Sequence, residues 1–324
     1  MLYLLIMEMT EQLELNANMN RQKMLDLFGD SLVFDAPLAE YSSFKTGGRA
    51  SLFLNAQTVS DTVQAVSTAY ENNIPYIIIG GGSNLLISDQ GYDGLIIKIN
   101  ILGIELLDST TVSCGAGEDL MALVNFTAEN NLQGLEFASG IWGSVGGAVY
   151  GNAGAYGGEI KDVLTEIVLL DTKGNLKTVN PEYCEFGYRD SKLKETKEIV
   201  LSIKVQLQPG NKEELKQKIN EILAIRASKH PVREFCAGSF FKNIPDPNEQ
   251  YGKLPAGRLL EQVGAKEISV GGARVYEKHA NIIINDGTAT SKDIRDLADI
   301  LRNKVFEKFG ITLEDEVISI GNFS

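Results

Sequence analysis

Between Gly134 and Gly157, glycine returns at Gly140, Gly143, Gly146, Gly147, Gly151 and Gly154, set among small residues. Each glycine inside a helix or strand costs roughly 0.5–1 kcal/mol relative to alanine, so this run resists regular structure. It predicts backbone wrapped closely around a flat or phosphorylated ligand. A second cluster, Gly80, Gly81, Gly82, Ser83, Asn84 and Leu85, follows an apolar strand expected at Tyr76 to Ile79. A strand that empties into a glycine-rich loop lets backbone amides face a phosphate.

Periodicity places the remaining elements. Val63, Val66 and Tyr70 predict a helix over Asp61 to Asn73, ended by Ile74-Pro75. Leu120, Leu123, Val124 and Thr127 predict another over Asp119 to Asn131, closed by Gly134. Ile167 to Asp171 and Leu176 to Val179 read as a hairpin around Thr172-Lys173-Gly174. Leu201, Ile203, Val205 and Leu207 alternate with polar residues in a strand over Val200 to Gln208. Asn211 caps a helix whose inner face is Leu215, Ile219, Ile222 and Leu223, and His230-Pro231 breaks it. A last helix opens at Ser291, buries Ile294, Leu297, Ala298, Leu301 and Val305, and closes at Gly310. The order is mixed rather than strictly alternating, which argues for an α+β fold over a doubly wound parallel sheet. We expect a leader at 1–28, a cofactor-binding region at 29–228 (subdomains about 29–100 and 101–228), and a smaller domain at 229–324.

The formal net charge is -13. Such a field repels nucleic acid and anionic lipid, and an anionic substrate needs a local basic pocket. Cys114, Cys184 and Cys236 are far apart and odd in number, which argues against a disulfide framework and for a reducing compartment. Without a Cys-x-x-Cys pair, and with only His230 and His279 as imidazoles, no metal site is expected. The apolar run Leu2 to Met7 lacks a basic leader, and Glu8 and Glu11 stand where a signal cleavage site belongs. Met7 and Met9 leave a later start open. No apolar stretch of about 20 residues suits a membrane span, so the expectation is a cytoplasmic protein, monomeric or weakly oligomeric.

Common nucleotide and hydrolase signatures fail. Leu85 stands where a Rossmann fingerprint needs its third glycine, and Gly252-Lys253 is followed by Leu254 rather than Ser or Thr. No Gly-x-Ser-x-Gly elbow is present.

The positive signal is a series of segments in fixed order. Tyr41-Ser-Ser-Phe-Lys-Thr-Gly-Gly48 precedes the first glycine loop. Gly134-Leu-Glu-Phe-Ala-Ser-Gly140, Gly143-Ser-Val-Gly-Gly147 and Asn152-Ala-Gly-Ala-Tyr-Gly157 follow it. Later come Tyr188-Arg-Asp-Ser191, Gly238-Ser-Phe-Phe-Lys-Asn243, Glu277-Lys-His-Ala-Asn281 and Leu313-Glu-Asp-Glu-Val317. Together, from about Tyr41 to Gly321, these resemble the UDP-N-acetylenolpyruvoylglucosamine reductase (MurB) family. The short path from Tyr188 to Val200 resembles its compact type II members.

That resemblance implies an FAD-binding fold of the PCMH (vanillyl-alcohol-oxidase-like) type, then a substrate-binding domain. It implies FAD as cofactor, NADPH as co-substrate, and UDP-N-acetylglucosamine enolpyruvate as the sugar nucleotide reduced to UDP-N-acetylmuramate for peptidoglycan synthesis. It also implies Arg189, Ser239 and Glu316 as catalytic residues, and Arg226, Lys229, Asn243 and Gln262 as substrate-binding residues. Gly80, Gly81, Gly82, Ser83, Asn84 and Leu85 are expected at the cofactor pyrophosphate, with Gly143, Ser144, Gly146 and Gly147 against the cofactor.

The chemistry of the trio can be followed from the residues. Hydride addition to the terminal carbon of an enolpyruvyl group leaves negative charge on the neighbouring carbon, spread into the carboxylate. A planar, permanently charged guanidinium suits that distribution, so Arg189 would stabilise it. Ser239 would deliver the proton that the carbanionic carbon then needs, help typically worth ~10²–10⁴-fold. Glu316 would assist if protonated, or orient the enol and the serine.

Each residue also has a structural reading. Arg189 beside Asp190 fits an ion pair, Ser239 after Gly238 a turn cap, and Glu316 beside Glu314 and Asp315 a solvated acidic face. Trp142 suits ring stacking or core packing, and His279 a packed structural role. The family usually has proline at Trp142, a larger residue at Gly151 and arginine at Ile318, departures that touch the flavin contacts and the way Glu316 is held. The other readings are a different PCMH-type FAD oxidoreductase, or a flavin-binding module without turnover.

Overall fold

A computed structural model of the chain describes residues 19–231, 235–249 and 252–323. The expectation for the leader falls mostly on residues 1–18, outside the described ones. Residues 19–28 are helical, and Met24 is fully buried in the first core.

Three sheets organise the molecule. The first orders the strands Leu32–Pro37, Arg49–Ala56, Tyr92–Ile99 and Tyr76–Ile79. Its first pair is antiparallel and the other two are parallel. The second is an antiparallel sheet of Leu176–Val179, Leu164–Leu170, Ile199–Gln206, Thr111–Gly115 and Ile104–Leu106. The third is also antiparallel: Phe235–Ser239, His279–Asn285, Ala273–Tyr276 and Ser269–Val270, backed by the helix Ser291–Phe309. Mixed helices and sheets in this order are the α+β arrangement that the sequence predicts. No helix among the described residues is long and apolar enough to cross a membrane.

One large hydrophobic cluster runs from Met24 to Ile219, and a second gathers Cys236 to Val317 together with Phe44 and Leu86. Burying Phe44, 1% exposed, in the second cluster pins the Tyr41-to-Gly48 segment across both. Asn285 adds a hydrogen bond to the Phe44 carbonyl at 2.8 Å.

The helices Lys212–Lys229 and Ser291–Phe309 begin and end where expected, after Asn211 and before His230, and from Ser291 to Gly310; Thr290 caps the second, and the expected faces are buried apart from Leu223, which is partly so. Three details differ. The helix expected from Asp61 starts earlier, at Val59, because Thr58 and Asp61 form a capping box. Its buried face is Thr62, Ala65, Val66 and Ala69, which turns Tyr70 outward. The helix Leu120–Glu129 ends without Gly134: Asn131 takes the left-handed backbone at φ 58, and Gly134 lies beyond the short strand Leu132–Gln133. Finally, the second glycine run does contain a helix, Val145–Tyr150. Ser144 caps it by accepting from Gly147 N–H at 3.3 Å, and Gly146 packs where a Cβ would lie 2.9 Å from Ala116 Cβ. Close packing here outweighs glycine's poor helix propensity.

The C-terminal segment joins the parts. Lys242 N–H donates to the Glu314 carbonyl at 2.9 Å, and Glu316 N–H to the Phe240 carbonyl at 2.8 Å, extending the strand that carries Ser239. Two residues later Ile318 N–H donates to the Asn84 carbonyl at 3.0 Å, and Ile318–Ile320 pairs in parallel with Leu85–Ile87. Glu316 thus stands where the chain leaves the third sheet for the first glycine loop.

Candidate active site

Arg189 and Glu316 meet across 127 residues of sequence, Arg189 Nε lying 3.2 Å from Glu316 Oε1. Arg189 Nη2 also donates to the Gly154 carbonyl at 2.6 Å, so the second glycine run holds the guanidinium from the other side. The Arg189 backbone is left-handed, φ 53. For a side chain this long that costs of order 1–3 kcal/mol, the kind of strain found where a side chain must be aimed. Asp190 pairs instead with Lys194 at 3.5 Å, so the Arg189–Asp190 ion pair does not form.

The acidic run is not one solvated face. Glu314 faces Lys242 at 3.4 Å, and Asp315 takes Arg295 at 2.7 Å and Arg302 at 2.5 Å. Glu316 alone turns to Arg189, with its side chain 22% exposed. Burial raises the Glu316 carboxyl above its ordinary range, against the opposing pull of Arg189, then Lys194 and Lys242. Ser239 ends the strand Phe235–Ser239, immediately before Phe240, whose carbonyl accepts from Glu316 N–H. It caps no helix, and its hydroxyl has no hydrogen-bond partner among the described residues. Ser239 and Glu316 therefore occupy adjoining positions of one backbone pairing.

Around this centre lie cations and polar groups. Arg226, partly buried on the helix Lys212–Lys229, lies beside Tyr156; burial lowers its pKa against the pull of Tyr156, and Arg189 is near enough to add to the lowering. Asn243 is within hydrogen-bond reach of the Tyr188 hydroxyl, and its Oδ1 accepts from Ala256 N–H at 3.1 Å. Lys253 places its ammonium 3.3 Å from the Tyr188 ring centroid, and Arg189 lies 5.2 Å from the same ring. Lys229 is exposed at the end of its helix, beside His230 and His279. Those two rings pack 5.4 Å apart, and burial, then Arg226, pushes His230 down to about 4. Gln262 is exposed at the far end of the helix Ala256–Gln262. Its carbonyl accepts from Lys308 at 2.7 Å, and no side-chain contact among the described residues ties it to Arg189 or Asn243.

The two glycine clusters press together beside this centre. A Cβ on Gly80 would lie 2.3 Å from Ser144 Oγ, and one on Gly81 2.9 Å from Gly143 Cα. Gly82, at φ 69, runs against the Tyr41 carbonyl, and Ser83 Oγ donates to the Trp142 carbonyl at 2.8 Å. They leave a cleft of about 470 Å³ whose lining includes Ser43, Gly81, Ser83, Trp142, Gly143 and Ser144. Trp142 is 47% exposed there, which sets aside its core-packing reading. Gly146 and Gly147 stand outside that lining, their N–H groups donating to the Ala116 carbonyl and to Ser144 Oγ. Asn84 and Leu85 turn away to hold the C-terminal segment.

The residues fit a phosphate-bearing flavin. Ser43 Oγ is buried with no hydrogen-bond partner among the described residues, an acceptor or donor left for a ligand in that cleft. Thr46 Oγ1 is in the same condition. Both residues lie within the Tyr41-to-Gly48 motif, where neighbouring sequence gives no sign of a role for either. Nor does it single out Lys194, Lys242 and Lys253, because lysines distant in sequence give no local signal of convergence.

Comparison with known proteins agrees with this geometry. Residues 50–180 match an FAD binding domain model, and residues 230–320 match the model for the UDP-N-acetylenolpyruvoylglucosamine reductase C-terminal domain. The chain is 37% identical to the UDP-N-acetylenolpyruvoylglucosamine reductase of Clostridioides difficile (strain 630), covering 90% of this chain and 94% of that protein. It is 41% identical to the same-named protein of Lachnoclostridium phytofermentans, covering 88% and 91%. The crystal structure of UDP-N-acetylenolpyruvylglucosamine reductase (MurB) from Thermus caldophilus superposes with a TM-score of 0.75 at 32% identity, covering 90% of this chain and 98% of that one. The fold is accordingly the α+β, PCMH-type FAD-binding fold followed by a reductase C-terminal domain. With a marked resemblance in motif order, matched domains and near full-length relatives in agreement, this chain belongs to the UDP-N-acetylenolpyruvoylglucosamine reductase family.

Proposed function

We propose that this chain reduces UDP-N-acetylglucosamine enolpyruvate to UDP-N-acetylmuramate, using NADPH and FAD, with Arg189, Glu316 and Ser239 as its catalytic residues. The observation that carries the assignment is the Arg189–Glu316 contact, built from separate parts of the chain and backed by a left-handed arginine.

FAD, which Gly81, Ser83, Gly143 and Ser144 would hold, would supply the hydride after reduction by NADPH, in a ping-pong order. Arg189 then takes the substrate carboxylate and stabilises the charge that spreads into it as the enolate forms. Binding that carboxylate draws the guanidinium away from Glu316 and adds negative charge nearby. Both effects favour the protonated acid, already favoured by burial, so Glu316 can donate a hydrogen bond to the enolate. The hydroxyl of Ser239 delivers the proton to carbon. Arg226, Lys229, Asn243 and Gln262 are assigned to the substrate's anionic and polar groups. The partly buried Arg226 near Arg189 supports that basic pocket in an otherwise acidic protein.

We divide the chain at about residue 228, with subdomains at 29–100 and 101–228 and a substrate domain at 229–324; the two large hydrophobic clusters support the division near 228, while the first cluster runs through both subdomains. A cytoplasmic enzyme, monomeric or weakly associated, suits its soluble nucleotide substrates.

The test is an anaerobic absorbance experiment on the holoprotein. NADPH should bleach the flavin band, and the enolpyruvyl sugar nucleotide should restore it. Bleaching without recovery would direct the search to another oxidant, and a flavin that NADPH cannot bleach would indicate a binding module without turnover.

A further inference from the structure

We infer that Lys194 is a positioning residue for Arg189, fixing through the backbone where the guanidinium meets the substrate. This rests on the reading of Arg189 given above.

Lys194 Nζ donates to the Arg189 carbonyl, and among the described residues no other group bonds that oxygen. The carbonyl belongs to a left-handed residue, so neither helix nor strand supplies it with a partner. On the other side, Gly187 N–H donates to the Asp190 carbonyl at 3.0 Å and Asp190 N–H returns to Gly187 at 3.4 Å. Arg189 is thus the tip of a tight turn whose free side is closed by one lysine.

The lysine itself is firmly mounted. It lies in the short helix Leu193–Thr196, next to the fully buried Leu193. Lys194 N–H donates to the Ser191 carbonyl at 3.0 Å, and buried Ser191 hangs from the Tyr150 carbonyl at 2.7 Å. Its ammonium side chain is only 28% exposed, whereas its ion-pair partner Asp190 is 59% exposed at 3.5 Å. A solvent-facing pair at that separation contributes little, so the carbonyl is the contact that orders the side chain. Lys194 therefore ties the turn to the first core, while the guanidinium it steadies reaches Glu316 on the C-terminal segment. Without it the turn can relax out of the left-handed region, carrying the guanidinium away from both Gly154 and Glu316.

The experiment compares holoprotein variants in rapid mixing, following flavin absorbance in each half-reaction. Lys194→Met should be reduced by NADPH within about twofold of the parent rate, yet be reoxidised by the enolpyruvyl sugar nucleotide about 10–100-fold more slowly. Lys194→Arg, which keeps a charged donor, should recover most of that loss. The double variant Lys194→Met with Arg189→Ala should be no slower than Arg189→Ala alone, because the lysine acts through the arginine. Where Lys194→Met does not retain FAD, Lys194→Gln replaces it, and the same non-additivity is expected. Losses that multiply in the double variant, or equal losses in both half-reactions, would overturn the inference. An unimpaired Lys194→Met beside a crippled Arg189→Ala would overturn it alone. Normal reoxidation of Arg189→Ala would remove the reading of Arg189 and this inference with it.

Discussion

The side-chain amide of Asn84 donates to the Glu316 carbonyl at 2.9 Å across 232 residues of sequence, while the Asn84 carbonyl accepts from Ile318 N–H at 3.0 Å. One residue of the glycine loop thereby clamps both sides of the position that presents the Glu316 carboxylate. The loop that borders the cofactor cleft and the segment that carries Glu316 are one mechanical unit.

Asn84→Ala should consequently impair chemistry more than cofactor retention. Losing a part-buried hydrogen bond costs about 1 kcal/mol of stability, and a loosened Glu316 should slow flavin reoxidation by roughly tenfold. Melting temperature and the two half-reaction rates, measured together, check this.

Gly81→Ala should weaken FAD binding at least about tenfold, since its Cβ would stand 2.9 Å from Gly143 Cα and 3.0 Å from Ser144 N. Neither backbone can give way without opening the cleft. Flavin content after purification and titration of the apoprotein with FAD provide the measurement.

Glu316→Gln should change the pH profile of reoxidation. Burial raises the Glu316 carboxyl, so its hydrogen-bond-donating form prevails below that raised pKa and is lost as pH climbs through it. The parent rate should therefore fall on the alkaline side. The glutamine, a donor at every pH, should be slower at its best but lack that fall. A parent-like fall in the variant would assign the titration elsewhere.

The sequence foretold most of what is local. The cap at Asn211, the helix start at Ser291 and its close at Gly310, the hairpin at Thr172-Lys173-Gly174 and the strand at Tyr76–Ile79 rest on neighbours, and all appear. It misjudged Val145–Tyr150 because glycine's propensity said nothing of Ala116, the surface that makes a bare helix face useful. For the site, motif order picked out Arg189, Ser239 and Glu316, but their physical roles were invisible one residue at a time. Glu316 looked like part of an acidic face until the fold assigned Glu314 and Asp315 to other cations. Lys194 could not be singled out at all, since its importance lies in a backbone carbonyl and a φ angle that no spacing encodes.

In the proposed reaction Ser239 supplies a proton after hydride addition, while Arg189 and Glu316 hold the charge. Ser239→Ala in anaerobic rapid mixing tests it most directly. NADPH should still bleach the flavin at close to the parent rate, and recovery with the enolpyruvyl sugar nucleotide should slow by ~10²–10⁴-fold. Equal loss in both half-reactions, or undiminished recovery, would contradict it.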